Sequence, residues 1–177
     1  MHIPEPPWEG DKIILRTFTE SDITPSYISW LNDPDVLRYS NQRFRNHSYE
    51  SCLNYLRTFT DSANKFLLIQ DHFSRIPLGT LTIYMNLHHR TADIGLMVGD
   101  KESWGRGIGF DAFYTAVNLL TNSGEVRKIT AGALVINKGM VRIMEKAGLI
   151  LEATRRGQEL VNGKPVDIVY YAKFCHA

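Results

Sequence analysis

The sequence predicts an α/β chain of the layered α+β kind, with one mixed, mostly antiparallel sheet of seven strands flanked by about four helices. Three observations carry this. Strand-like and helix-like apolar runs follow the order strand, two helices, three strands, helix, strand, helix, two strands. A glycine-rich turn, Trp104-Gly105-Arg106-Gly107-Ile108-Gly109, joins a strand to a helix past the middle of the chain. Near the C-terminus, Asn162-Gly163 between two apolar runs marks a hairpin.

The elements follow from local pattern. Lys12 to Thr17 reads as a strand through Ile13, Ile14 and Leu15. Thr19 or Ser21 offers a cap for a helix through Asn32, with Tyr27, Ile28, Trp30 and Leu31 as its apolar face. Asp33-Pro34-Asp35 restarts the chain in a short turn ending near Tyr39, and Ser40 to Asn46 is polar and irregular. Ser48 caps a second helix, Tyr49 to Phe59, in which Cys52, Leu53, Leu56 and Phe59 recur at helical spacing. Phe66 to Gln70, Leu78 to Met85 and Thr91 to Val98 are rich in β-formers. The helix Phe110 to Thr121 carries Phe113, Val117 and Leu120, and Gly124 ends it. Lys128 to Val135 is a strand, and Asn137 starts a helix that stops at Gly148. Leu149 to Val161 and Val166 to Phe174 form the hairpin.

Composition bounds the partners. A chain of 177 residues fits a single domain, 1–177, with residues 1–11 as an irregular, proline-bearing lead and no signal-peptide core. The net charge of +1 gives no general basic field, so no nucleic-acid partner is expected. No apolar run approaches a membrane helix, so no membrane partner is expected either. Two cysteines, Cys52 and Cys175, give neither a metal site nor a disulfide framework, and a reducing cytoplasm is the expected home.

The glycine turn reads as an anion site, the other reading being a tight loop that only joins a strand to a helix. Glycine lets backbone approach a ligand and adopt positive φ. The first turn of the following helix supplies free N–H donors and the positive end of its dipole. A P-loop is excluded because Phe110 and Asp111, not Lys and Ser or Thr, follow Gly109. A dinucleotide fingerprint is excluded because the spacing is G-x-G-x-G.

With these elements, the turn resembles the Q/R-x-x-G-x-G/A loop of the GNAT superfamily of acyl-CoA-dependent N-acetyltransferases. Trp104 stands in the Q/R place, and Gly107 and Gly109 match. Asn137-x-x-Met140-x-x-Ile143-Met144-Glu145-Lys146-Ala147-Gly148-Leu149 is similar to a second family mark. Arg16, the run Trp30 to Val36, Asn162-Gly163-Lys164 and Asp167-x-x-Tyr170 resemble the ribosomal-protein N-terminal acetyltransferase branch. The resemblance implies a sheet splayed at the strand ending in Met97 and Val98, where the pantetheine arm of acetyl-CoA inserts. It implies cofactor contacts at Met97, Val98, Trp104, Gly105, Arg106, Gly107, Ile108, Gly109, Asn137, Met140 and Lys146. Asn137 also reads as a simple helix cap.

Acetyl transfer needs a neutral acceptor amine and an outlet for the thiolate. Asp93, 11 residues before Trp104, resembles the family's catalytic carboxylate, and as the shorter acid it would act through water. The other reading of Asp93 is an exposed strand carboxylate. His88 and His89 have suitable chemistry but read as solvent-facing turn residues. The family's acid tyrosine is replaced by Met144, leaving water, or a group such as Tyr114 or Tyr84, to protonate the thiolate. Acceptor contacts are expected from the polar, aromatic stretch Tyr39, Ser40, Asn41, Gln42, Arg43, Phe44 and Arg45, facing Tyr84 and Asn86. The expected acceptor is a small-molecule or peptide amine, and a homodimer is left open. Two competing readings remain, a non-catalytic acyl-CoA-binding module and a different nucleotide binder reusing the loop.

Overall fold

The computed structural model describes residues 3–175. Their strands are β1 (Trp8–Glu9), β2 (Ile13–Thr17), β3 (Lys65–Asp71), β4 (Pro77–Asn86), β5 (Thr91–Val98), β6 (Lys128–Leu134), β7 (Ile150–Val161) and β8 (Lys164–Phe174). The helices are α1 (Pro25–Leu31), α2 (Tyr49–Arg57), α3 (Ile108–Asn122) and α4 (Lys138–Lys146). One sheet takes the order β1-β2-β3-β4-β5-β6-β8-β7. Every neighbouring pair is antiparallel except β5 and β6.

The sheet has eight strands rather than the seven expected. The additional β1 lies in the lead read as irregular, where Trp8 pairs with Leu15 and Glu9 with Ile14. Two residues are too short to show a period of two. Trp8 is buried and its indole Nε1 donates to Pro4 O at 3.0 Å, which holds the lead against the sheet.

The first helix also starts later than either expected cap. Thr19 heads a 3-10 turn at Glu20–Asp22, where Asp22 accepts the Thr19 N–H and N–H groups from the two terminal nitrogens of the Arg16 guanidinium. Thr24 then caps α1, its side chain accepting from the Tyr27 N–H, with Pro25 in the first turn. At α2 the expected cap holds. Ser48 accepts from the Ser51 N–H, and Ser51 Oγ accepts the Ser48 N–H, so serine closes the box usually closed by glutamate. The final hairpin turns at Asn162 (φ 51°) and Gly163 (φ 74°), the double positive φ of a type I′ turn.

The two sheet faces bury different layers. Leu15, Leu67, Leu81, Ile83, Ile94 and Ile129 pack with Phe113, Val117 and Leu120 of α3 and Met144 of α4. Phe18, Phe66 and Leu68 pack on the other side with Tyr27 of α1 and Cys52 of α2. The period of two therefore puts Asp93, Gly95 and Met97 of β5, with Thr80, Thr82 and Tyr84 of β4, on the α1/α2 face. Among the described residues no helix is long and apolar enough to cross a membrane.

One buried carboxylate ties the ends of this arrangement together. Asp111, in the first turn of α3, accepts the N–H groups of Asp11 (3.3 Å), Lys12 (2.7 Å) and Ile13 (3.2 Å). The helix dipole favours its negative charge there. Asp111→Ala strands three amide donors, at least one of them buried. It is expected to lower stability by about 3 kcal/mol, checked by urea unfolding. An unchanged midpoint would refute this role.

Candidate active site

β5 and β6 run parallel but pair only through Thr91, Ala92 and Asp93 with Lys128, Ile129 and Thr130. Beyond that point they part. Gly95, Leu96, Met97 and Val98 line one side of the gap, and Gly132 and Ala133 the other. On β5 the Gly99 N–H donates to Leu78 O at 2.9 Å. Backbone groups alternate in direction along an antiparallel ladder, so those of Leu96 and Val98 face the gap. The Val98 carbonyl is already taken by the Trp104 indole N–H at 3.0 Å. Trp104, where the family pattern has Gln or Arg, thus fastens the glycine turn to the end of β5.

The turn itself has the expected anion geometry. Gly105 (φ 74°) and Gly107 (φ 84°) are both left-handed, and Gly107 caps α3 with no side-chain partner. The first-turn N–H groups of Ile108, Gly109 and Phe110 lack intrahelical acceptors. A Cβ at Gly109 would lie 3.2 Å from Ile143, 3.3 Å from Val98 and 3.4 Å from Leu96, so α3 and α4 close on the strand end there. Asn137 caps α4, its Oδ1 accepting the Met140 N–H at 3.2 Å.

One cleft of about 1190 Å³ joins these parts. Of the expected cofactor residues, Met97, Val98, Trp104, Gly105, Gly107, Ile108, Gly109, Asn137, Met140 and Lys146 all line it. Arg106 is absent from the wall, and its carbonyl instead accepts from Lys12 Nζ at 2.8 Å. The same cleft continues onto the α1/α2 face between the segment 35–47 and α2.

On that face the expected acceptor residues divide. Tyr39 and Ser40 line the cleft. Asn41 and Arg43 do not; they dock the segment onto the hairpin, through Glu159 Oε1 at 2.8 Å and Leu160 O at 3.2 Å. Tyr84 lies just outside the wall, its hydroxyl 2.7 Å from that of Tyr55, which is in the wall. Asn86 is not in the wall: its Oδ1 accepts the His89 N–H in the turn at the opposite end of β5, where His88 and His89 are exposed. Their distance follows from the direction of β5, which ends, not begins, at the glycine turn.

Asp93 is on the acceptor face, one residue pair beyond the cleft wall. Water reaches part of it, yet the surrounding protein disfavours its charge and raises its pKa above the ordinary carboxylate value. The Thr130 hydroxyl, donating at 2.5 Å, pulls the other way. Of the substitute acids, Tyr114 lines a separate cavity of about 520 Å³ with the N-terminal lead. Met144 is fully buried in the core.

Several wall residues escaped sequence reasoning: Arg38, Tyr55, Thr80, Thr82 and Arg142 among them. A signal existed for two. Thr80 and Thr82 alternate with Leu81 and Ile83, so a polar face of β4 was readable. Arg38 and Arg142 carried none, since exposed arginines on short elements look alike. The segment 35–47 is tethered on its other flank by Lys101, which bridges Asp33 at 2.7 Å and Asp35 at 3.6 Å.

A sheet split at two parallel strands, with a glycine turn at the split whose cap residue offers no side chain, defines an acyl-carrier-binding class of transferase fold. The sequence profile of the acetyltransferase (GNAT) domain matches residues 12–150, and the chain belongs to that family. It is 25% identical over 169 residues to the uncharacterized N-acetyltransferase YoaA of Bacillus subtilis, covering 93% of this chain and 94% of that protein. It is 21% identical over 151 residues to an uncharacterized protein of Methanocaldococcus jannaschii; the match takes in 85% of this chain but spans only 30% of that relative's length. Similar solved structures include RimL, a ribosomal L7/L12 α-N-protein acetyltransferase in complex with coenzyme A, at TM-score 0.81 and 18% identity, with 93% and 95% of the chains covered. The spermidine N-acetyltransferase of Vibrio cholerae aligns at TM-score 0.80 and 18% identity, covering 92% of this chain and 95% of its own.

Two substitutions test the cleft. Gly107→Val forces a branched side chain into left-handed backbone, 3.2 Å from Lys12 Nζ. It is expected to weaken coenzyme A binding at least tenfold by calorimetry, and unchanged affinity in a folded variant would remove the turn from the site. Asn137→Ala should lower stability by about 1 kcal/mol through the lost cap and raise the KM for acetyl-CoA. A change in melting temperature alone would leave Asn137 as a cap only.

Proposed function

We propose that this chain transfers an acetyl group from acetyl-CoA directly, in a ternary complex, to a primary amine of low pKa, on an amino sugar or similar small molecule or at a peptide N-terminus. The observation that carries this reading is continuity. One cleft runs from the glycine turn, through the β5–β6 gap, to an open acceptor side. The pyrophosphate would sit on the N–H groups of the turn, with Arg142 and Lys146 of α4 at its side. The pantetheine arm would occupy the gap, and acetyl-CoA supplies the activated acyl group.

Asp93 is the base in this reading. Its raised pKa improves it as a proton acceptor near neutrality. It must be deprotonated to act, so kcat/KM should rise with pH through a limb lying above the ordinary carboxylate range. Asp93→Asn should abolish that limb. No tyrosine occupies the usual acid place, since Met144 is in the core, and solvent protonates the departing thiolate.

A lysine side chain, at pKa 10.4, costs roughly 4.6 kcal/mol to deprotonate at pH 7, against about 1 to 1.4 kcal/mol for an α-amine. One carboxylate acting at a distance suits the cheaper amine. Cleft charge agrees. Arg38 and Arg45 line the acceptor half, and Asp35, an acid there, already faces Lys101. A polyamine finds little to bind in that setting.

The buried Met144 also favours a second reading, an acyl-CoA-binding module without turnover. A thiol-release assay with acetyl-CoA, glucosamine, a tripeptide with a free N-terminus, an Nα-blocked lysine peptide and spermidine separates these. Glucosamine or the tripeptide is expected to exceed the other two at least tenfold in kcat/KM. The reverse order sinks the acceptor class. Tight acetyl-CoA binding with no thiol release on any amine supports the binding module.

A further inference from the structure

Three arginines lie on the segment between α1 and α2, and only one of them has polar partners in the protein. Arg43 is turned away from the cleft: its guanidinium donates to Ser40 O at 2.8 Å and to Leu160 O of the hairpin at 3.2 Å. Arg38 and Arg45 are in the cleft wall. Among the described residues neither makes a side-chain hydrogen bond or an ion pair. The Arg38 guanidinium lies over the Tyr39 ring, 5.4 Å from its centroid, which leaves its N–H groups free of protein acceptors. The wall as a whole is cationic. Arg38, Arg45, Arg142 and Lys146 face one acid, Asp35, whose carboxylate already meets Lys101 at 3.6 Å. Arg142 and Lys146 stand beside the glycine turn, where the pyrophosphate of the donor would answer them. Arg38 and Arg45, in the acceptor half, are left without a counter-charge. The segment that carries them is pinned. Ser40 caps its 3-10 turn, and the Asn32 side chain clasps the His47 backbone, accepting its N–H at 2.9 Å and donating to its carbonyl at 2.8 Å. Arginines on a pinned segment are preorganised for an oxyanion, which they meet with paired N–H groups.

We propose that the acceptor carries an oxyanion, a phosphate or a carboxylate, besides its amine, and that Arg38 and Arg45 bind it. The inference rests on the acetyl-transfer reading and narrows its acceptor class. A plain ammonium approaches this wall against like charge, and the bare amine gains nothing from the arginines. An acceptor with an oxyanion makes charge-assisted hydrogen bonds to them, roughly twice as strong as neutral ones. Its negative group also screens the wall from its own ammonium. The contact lies away from the reacting atoms and is the same before and during transfer. Uniform binding of that sort lowers KM and leaves kcat alone. Arg38 and Arg45 therefore select the acceptor and take no part in the chemistry.

The test is a thiol-release assay on two matched pairs: glucosamine 6-phosphate with glucosamine, and a tripeptide amide bearing an aspartate with its asparagine counterpart. At least one anionic member is expected to exceed its neutral partner by about tenfold or more in kcat/KM, mostly through KM. A gain confined to the sugar pair assigns a phosphate, and one confined to the peptide pair assigns a carboxylate. In the double variant Arg38→Gln/Arg45→Gln, shown to be folded by its melting curve, that preference should shrink to about twofold or less. Each single variant should lose part of it, and Arg38→Lys/Arg45→Lys should keep part of it. Equal kcat/KM within both pairs overturns the inference and leaves acetyl transfer standing. A preference that survives in the double glutamine variant overturns the assignment to these arginines. So does a raised KM for acetyl-CoA with the preference intact, which would place them on the donor's phosphates. If no amine releases thiol, the transfer reading fails and the inference falls with it.

Discussion

The rest of the structure depends on the place where β5 and β6 stop pairing. Three residue pairs hold them together, and after Asp93 and Thr130 the ladder ends. A sheet interior does not leave backbone polar groups idle, because each one buried without a partner costs free energy. Trp104 takes one of them, the Val98 carbonyl. The backbone of Leu96 still faces the gap. α4 follows β6 after three residues, and α3 follows β5 after a 3-10 turn at Lys101–Ser103 and the glycine turn, so both N-termini converge on the same opening. Anion site and slot are thus two results of one interrupted ladder.

Two sets of anchors keep the opening in shape. Asp111 binds the start of β2 to the start of α3, and Lys12 reaches across to the Arg106 carbonyl. The glycine turn is consequently held from both sides, by Trp104 to β5 and by Lys12 to β2. The acceptor half has separate supports. Trp30 of α1 covers Gly99, where a Cβ would come within 2.1 Å of the ring, and Tyr27 packs beneath it on Phe18. The cofactor half and the acceptor half share β4 and β5 and little else.

The cofactor half was legible because its residues are contiguous. A strand, alternate glycines and a helix occupy Thr91 to Asn122 without interruption, and the expected strand bounds at β5 match the observed ones. The acceptor half is assembled from α1, α2, β4 and the segment between the first two helices, and sequence distance hides such a union. Asn41 and Arg43 looked like ligands for substrate because polar side chains in a loop give no hint of which way they turn. They face the C-terminal hairpin, 117 and 118 residues away in the chain. Asn86 was assigned to the acceptor wall on proximity to Tyr84, although two residues along β4 carry it past the end of the cleft toward the turn. The two-residue β1 had no periodicity to show, and Trp8 alone marked it.

The anchors of the segment 33–47 have a consequence for solution behaviour. Besides buried Leu37, its anchors are the ion pairs from Lys101, polar contacts to the hairpin, and the Asn32 side chain, which accepts the His47 N–H and donates to the His47 carbonyl. Exposed charge pairs weaken as the Debye length shrinks from about 10 Å at 0.1 M salt to about 3 Å at 1 M. The buried Asp111 clasp and the indole bond of Trp104 to Val98 are neutral-backbone contacts or shielded ones, which salt reaches less. Ionic strength therefore acts unequally on the two halves of one cleft, weakening the Lys101 anchors of the segment 33–47 while leaving the glycine turn in place.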